Sequence, residues 1–269
     1  MSHKRVLILG DIHGCLGELD DLLKKLSFKK DQDHLISVGD LVDRGPDSVG
    51  VIRRMRELGA TTVVGNHETK VMRALQETFA LNKHSTRMQG ILKHLRSDDI
   101  QYLRRMPNSY RVGPRIVIAH AGAEPATPFD KQDQETLTRV RHVSKDGFFT
   151  KGSSWSHSDK DGYYWAYGWK GPECIIYGHQ VHNLTQPLSV FSKSEGTTGW
   201  TLGIDTGCCY GGRLTAAVLD PMDIFGENLE IVQVDARETY TTMYMPPDIE
   251  KPSESRKKEP RQLSLAQWN

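Results

Sequence analysis

The feature that most constrains this chain is a repeated one: short apolar runs, each followed within a few residues by a carboxylate, an asparagine or a histidine. Val6–Leu9 leads into Asp11 and His13, Leu35–Val38 into Asp40, and Thr61–Val64 into Asn66 and His67. Arg115–Ala119 leads into His120, and Cys174–Tyr177 into His179. Short β-branched and aliphatic runs bounded by polar turns read as strands. In open α/β sheets the strand ends converge on one edge, where ligands bind. The pattern predicts a sheet whose rim gathers carboxylates, an amide and imidazoles in one place.

Helical periods separate the first strands. Leu16, Leu19, Leu22, Leu23 and Leu26 share one helix face. Pro46 suits the first turn of a helix carrying Val49, Ile52, Met55 and Leu58 inward and stopping at Gly59. Further helices are expected from His67 to about Leu81 and from Thr86 to Met106, where Pro107 ends them. Trp200–Ile204, Leu214–Leu219 and Leu229–Val234 read as strands with few helices between, so the C-terminal half should be richer in antiparallel pairing. The class is α/β shading into α+β. One domain is expected over residues 1–245. The charged, proline-rich residues 246–269 lack the apolar content to fold alone.

Residues 144–172 hold Phe148, Phe149, Trp155, Tyr163, Tyr164, Trp165, Tyr167 and Trp169 without a helical or strand period. That predicts a long functional loop or lid. Trp165, Tyr167 and Trp169 run directly into a strand and are read as packing, while Phe148, Phe149 and Trp155 stay open between packing and base stacking.

With 35 basic and 34 acidic residues the surface is nearly neutral, which gives no support to a broad nucleic-acid or membrane-surface partner. No segment approaches the ~20 apolar residues of a membrane span, and the first apolar run is a strand rather than a signal peptide. Four cysteines, with Cys208 and Cys209 adjacent, point to reduced thiols and a cytoplasmic or nuclear setting.

The chemistry sits at the strand ends. Asp11, His13, Asp40, Asn66, His120 and His179 are six oxygen and imidazole donors, more than one metal needs, whereas two ions ~3.5–4 Å apart would use them all. Asp40 is the natural bridge, with Asp11 and His13 on the first metal and Asn66, His120 and His179 on the second. Such donors fit Mn, Fe, Zn or Co. His67, beside Asn66 yet spare as a ligand, is placed as a general acid, and Asp43 is the carboxylate to orient it. Arg44 can clamp two phosphoryl oxygens with its fork, and Arg139 or Arg141 could supply a second clamp. Taken singly, each residue has an ordinary reading as a turn former, a helix cap or a core histidine. His182 is read as solvent-facing or as a support to the site, Cys208 and Cys209 as packing beneath it, and Asp205 as either a turn cap or an orienter of a ligand histidine.

Gly10-Asp11-Ile12-His13-Gly14, Gly39-Asp40-Leu41-Val42-Asp43-Arg44-Gly45, Gly65-Asn66-His67-Glu68, Ala119-His120-Ala121-Gly122 and Tyr177-Gly178-His179 resemble the five motifs of calcineurin-like metallophosphoesterases in their phosphoprotein-phosphatase branch. Within it the chain is most similar to the symmetrical diadenosine tetraphosphatases, also through Thr138–Arg141 and Ile204–Thr215. The resemblance implies a four-layer sandwich of two mixed sheets between helices, and a dimetal site at the strand ends with manganese favoured. It also implies direct hydrolysis of phosphoanhydride or phosphoester bonds by a metal-bound hydroxide, without a phosphoenzyme. Asp43 and Glu68 depart from the bacterial tetraphosphatases toward protein phosphatases, and Val181 replaces the second histidine of the GHxH pair of other branches. The leading expectation is a nucleotide or polyphosphate hydrolase. A Ser/Thr protein phosphatase is the alternative, and a scaffold that has lost turnover is disfavoured by the presence of His67, Asp43 and Arg44.

Overall fold

A computed structural model describes residues 5–77, 84–149, 162–194, 197–220 and 229–242. Trp155, His3, His157, the greater part of the expected lid and the expected tail lie outside these.

Two five-stranded mixed sheets form the middle of the molecule. In the first, β1 (Arg5–Leu9) and β2 (Asp33–Ser37) are parallel and lead to β3 (Thr61–Thr62), while β11 (Arg213–Leu219) and β12 (Glu230–Asp235) extend the other side antiparallel. In the second, β5 (Ile116–Ala119), β8 (Cys174–Tyr177) and β10 (Thr197–Gly203) run parallel, edged antiparallel by β4 (Ser109–Val112) and β9 (Leu188–Ser194). Period-2 alternation decides the layering. Val6, Ile8, Ile36, Ile116, Ile118, Ile176 and Leu202 point between the sheets into one apolar cluster. Their neighbours Leu7, Leu9 and Leu35 point outward onto a helical layer. Val117, Ala119, Ile175 and Tyr177 point outward on the far side, onto Leu137, Val140, Trp165 and Trp169. Each sheet is thus covered on both faces, the condition for its parallel strands to be as apolar as they are.

The helical layer comprises α1 (Leu16–Lys25), α2 (Ser48–Leu58), α3 (Asn66–Gln76), α4 (Thr86–His94) and α5 (Ser97–Arg104). α2 starts two residues after Pro46, with Asp47 Oδ1 accepting from Gly50 N at 2.7 Å, and ends on left-handed Gly59. The single helix expected over Thr86–Met106 is two. Leu95 turns extended (φ −67°, ψ 134°), and Asp99 Oδ2 accepts from Arg96 N at 3.0 Å to start α5. Hydrophobic spacing cannot show such a break, because both helices keep an apolar stripe. The third strand is also shorter than expected, because after Val63 N donates to Ser37 O the chain leaves the sheet at Val64, whose N donates to Pro107 O at 2.8 Å.

On the outer face of the second sheet lie α6 (Gln134–Arg139) and a small hairpin of β6 (His142–Val143) with β7 (Tyr163–Tyr164). The hairpin clamps both described ends of the 144–172 segment. Trp165 and Trp169 are buried as expected, whereas Tyr167 is exposed, turned out of the core by the 3-10 turn Trp165–Tyr167. Phe149 packs at the edge of this cluster and Phe148 is exposed. All four cysteines are buried free thiols. No helix among the described residues is long and apolar enough to cross a membrane.

Candidate metal centre

The loops after β1, β2, β3, β5 and β8 meet at the ends of both sheets. Their geometry is unusual: of the six non-glycine residues with positive φ among the described residues, five are His13, Asp40, Asp43, Arg44 and His179. Left-handed backbone at such residues costs on the order of 1–3 kcal/mol each and persists where the surroundings dictate it. Two glycines leave room for the carboxylates, since a Cβ on Gly178 would collide with Asp11 Oδ1, and one on Gly65 with Asp40 Oδ1.

Asp40 stands at the centre. Its Oδ2 lies 3.6 Å from His13 Nε2 and 3.8 Å from His67 Nε2, and its Oδ1 lies 3.4 Å from His120 Nε2. One carboxylate therefore faces two histidine sets with different oxygens, the disposition a bridge requires. Asp11 Oδ2 is 3.9 Å from His13 Nε2, and its carboxylate accepts from His179 N. His13 Nδ1 donates to Val42 O at 2.8 Å and His120 Nδ1 to Val38 O at 2.9 Å, so both rings aim an Nε2 lone pair inward.

The donor set fits a cation on three observations. His120 Nε2 and Asn66 Oδ1, both acceptors in that tautomer, are 3.0 Å apart. His179 Nε2 is buried with no hydrogen-bond partner. Two groups of close-set ligand atoms, one of His13, Asp40 and His67 and one of Asp40, His120 and His179, share Asp40.

Electrostatics agree. Burial pushes Asp11 well above the usual carboxylate range, with the charges of Asp205 and Asp40 adding to it. Burial acts the same way on Asp40, but His120, His67 and His13 outweigh it and hold Asp40 well below. Burial, then Arg44, keeps His13 well below its ordinary value, and burial with Arg141 does so for His179. His120 is the exception, lowered by burial but raised on balance by Asp40, Glu68 and its bond to Val38 O; neutral His13 and His179 and crowded carboxylates are what a divalent cation binds.

His67 Nδ1 donates to Asp43 Oδ2 at 2.8 Å, which leaves Nε2 facing the centre. Burial raises Asp43, yet this bond and the His67 charge hold it far below the usual range. Arg44 Nη1 donates to His13 Nε2 at 2.8 Å, and its guanidinium lies 5.2 Å from the Tyr210 ring centre. Arg141 Nε donates to Gln180 Oε1 at 2.7 Å and its Nη2 approaches His179 O at 3.5 Å. Arg141 is thereby set against the centre, whereas Arg139, the last residue of α6, registers only as a positive charge that disfavours that of Lys70. Asp205 Oδ1 accepts from Gly207 N at 3.0 Å, as a turn cap does, while its Oδ2 is buried without a hydrogen-bond partner. His182 is solvent-facing and lies edge-on to Tyr164, ring centres 4.5 Å apart.

Sequence reading marked Glu68 only as a departure from relatives, and the fold gives it a task. Its Oε2 accepts from Asp40 N (2.8 Å) and Gly65 N (2.9 Å), and its Oε1 from Leu41 N (2.8 Å) and Val42 N (3.3 Å). The carboxylate fixes the loop that carries Asp40. The sequence signal was its place three residues after Gly65, the spacing of a capping carboxylate. Lys70 and Arg87, on α3 and α4, also reach the site and carried no motif signal.

Residues 4–183 match the calcineurin-like phosphoesterase family. An asymmetrical bis(5'-nucleosyl)-tetraphosphatase of Oceanobacillus iheyensis is 31% identical over 79% of this chain and 87% of its own. A symmetrical one of Pectobacterium atrosepticum is 41% identical over 44% of this chain, and the chain spans 43% of that relative. A solved structure of a proposed diadenosine tetraphosphatase aligns with a TM-score of 0.66 at 32% identity, covering 87% of this chain and 94% of that one. A Saccharomyces cerevisiae serine/threonine phosphatase, at 16% identity and a TM-score of 0.51, shares the fold. The chain belongs to the calcineurin-like phosphoesterases, hydrolases of phosphoric esters and anhydrides that work with divalent metal ions.

Proposed function

We propose that this chain hydrolyses the phosphoanhydride chain of a bis(5'-nucleosyl) tetraphosphate or a similar polyphosphate. The observation that carries the reading is the junction at Asp40, where two clusters of ligand atoms share one carboxylate and His67 of the first is bonded through Nδ1 to Asp43. The similarity to tetraphosphatases over most of two relatives' lengths supports the substrate class. Asp11, His13 and Asp40 would hold one ion, and Asp40, Asn66, His120 and His179 the other, with manganese favoured among Mn, Fe, Zn and Co. Bound there, the ions would acidify a water and neutralise phosphoryl oxygens.

The remaining work belongs to this chain's own groups. Arg44 and Arg141 converge on the non-bridging oxygens, Arg44 oriented by Tyr210 and Arg141 by Gln180. His67 presents Nε2 toward the leaving oxygen and gives it a proton, while Asp43 holds the ring and stabilises its charged form. The burial of His67, His13 and Asp40 limits how far these groups reorganise as charge develops. Residues 1–245 act as the catalytic unit.

The test is phosphate and nucleotide release by Mn-loaded protein, with EDTA controls, from diadenosine tetraphosphate, inorganic polyphosphate and a phosphothreonine peptide. Preference for an anhydride supports the reading, and the products then separate symmetrical cleavage, to two ADP, from asymmetrical cleavage, to ATP and AMP. Preference for the peptide would replace it with a protein phosphatase, the reading that Asp43 and Glu68 favour.

A further inference from the structure

We infer that Arg87 of α4, together with Lys70 of α3, forms a cationic shelf for a phosphate leaving group, and that this shelf selects anhydrides over alcohol esters. The inference rests on the phosphohydrolase reading of the same site.

The direction of departure follows from the general acid. His67 delivers its proton to the leaving oxygen, so the leaving group sits on the His67 side of the centre. Behind His67 stands Asp43, at 2.8 Å. Arg87 approaches from α4, an element outside every motif strand, and places Nη1 3.8 Å from Asp43 Oδ1. The pair is loose, and the Arg87 side chain remains 46% exposed, so the guanidinium can swing to a ligand without vacating a buried bond. Lys70 follows His67 by three residues on α3 and shares its helix face. Burial lowers its pKa and the charges of Asp40 and Asp43 act against this, which places it within reach of both carboxylates, while Arg44 and Arg139 add to the lowering.

The chemistry distinguishes two leaving groups. An alkoxide or phenoxide of an ester needs the His67 proton and no further countercharge. A departing phosphate or nucleotide carries several negative charges past Asp43, whose carboxylate would repel them. Arg87 both offsets Asp43 and offers two N–H donors to phosphate oxygens, as arginine does in bidentate recognition. Lys70 adds a point charge one helical turn away.

The test compares wild type, Arg87→Ala, Arg87→Lys and Lys70→Ala, all Mn-loaded, on diadenosine tetraphosphate, tripolyphosphate and p-nitrophenyl phosphate. Loss of a charge-assisted phosphate contact should lower kcat/KM on the anhydrides by about 10-fold or more in Arg87→Ala, with a several-fold smaller loss on the aryl ester. Arg87→Lys should recover part of it, and Lys70→Ala should show a weaker form of the same split. Equal losses on all substrates, together with a displaced pH profile, would mean that Arg87 acts through Asp43 and would overturn the inference, as would no loss at all. Tripolyphosphate inhibition of aryl-ester turnover gives a second readout that survives failure of the anhydride reading. If wild type cleaves no anhydride, the selecting role is refuted; an inhibition constant about 10-fold weaker in Arg87→Ala then still supports the shelf as a phosphate site, and an unchanged one refutes that too.

Discussion

Replacing Glu68 by glutamine removes one charge and two acceptor sites without changing the side chain's shape. The carboxylate accepts four backbone N–H groups, two on each oxygen, from Asp40, Gly65, Leu41 and Val42. A glutamine keeps one oxygen, so whichever way it is turned two buried N–H donors face its NH2 group. A buried donor left without an acceptor costs ~1–3 kcal/mol, giving ~2–6 kcal/mol for two, while at pH 8 the neutral amide removes a charge that burial and Asp40 disfavour by roughly 3 kcal/mol, so the net loss is at most about 3 kcal/mol. Against a total stability of ~5–15 kcal/mol that is still a sizeable fraction, and at this chain length it lowers Tm by at most about 12 °C. The same loop aims Asp40, so metal affinity should fall with stability. Urea denaturation in EDTA at pH 8 measures the first, and Mn titration of the folded variant the second. A change below ~0.5 kcal/mol with wild-type metal affinity would refute the view that Glu68 holds the loop.

The same residue predicts a pH dependence. Burial, then the charge of Asp40, pushes Glu68 from its ordinary 4.5 up to about 7 in the metal-free protein, with Asp40 N and Gly65 N acting against this. The folded state therefore binds a proton that the unfolded state has released between those values. This group's stabilisation is complete below 4.5 and is lost as pH rises through about 7, with a slope of up to ~1.4 kcal/mol per unit. Metal-free Glu68→Gln, followed by denaturation across pH 4–8, should lack that slope. His67→Ala should lower kcat by about 10²–10⁴-fold while metal content by elemental analysis stays at the wild-type level; parallel loss of both would make His67 a ligand. Asp40→Asn should weaken both ions together, and a calorimetric titration that still shows two tight sites would remove Asp40 as the bridge.

The strand ends were legible because the evidence for them is local. A strand with apolar residues on both faces reads as a continuous run, and the turn leaving it must be polar, so Asp11, Asp40, Asn66, His120 and His179 stand out in one dimension. Helix boundaries were less legible. The break at Leu95 turns on one extended residue and the Asp99 cap, neither of which disturbs the apolar stripe. Tyr167 shows the same limit, since a 3-10 turn reverses its facing without altering its neighbours in sequence.

By itself the sequence determined the class of fold, the order of donors and the type of chemistry, because residue type and strand spacing are properties of the chain alone. Only tertiary structure decided how those donors share Asp40, how Glu68 spans 28 residues to hold the Asp40 loop, and that Arg87 arrives beside Asp43 from a helix with no motif. These are contacts between segments far apart in the chain. Their cause is the packing of the two sheets face to face, and of the helical layer on the first, which converts positions that no local pattern relates into neighbours within hydrogen-bonding or ion-pairing reach.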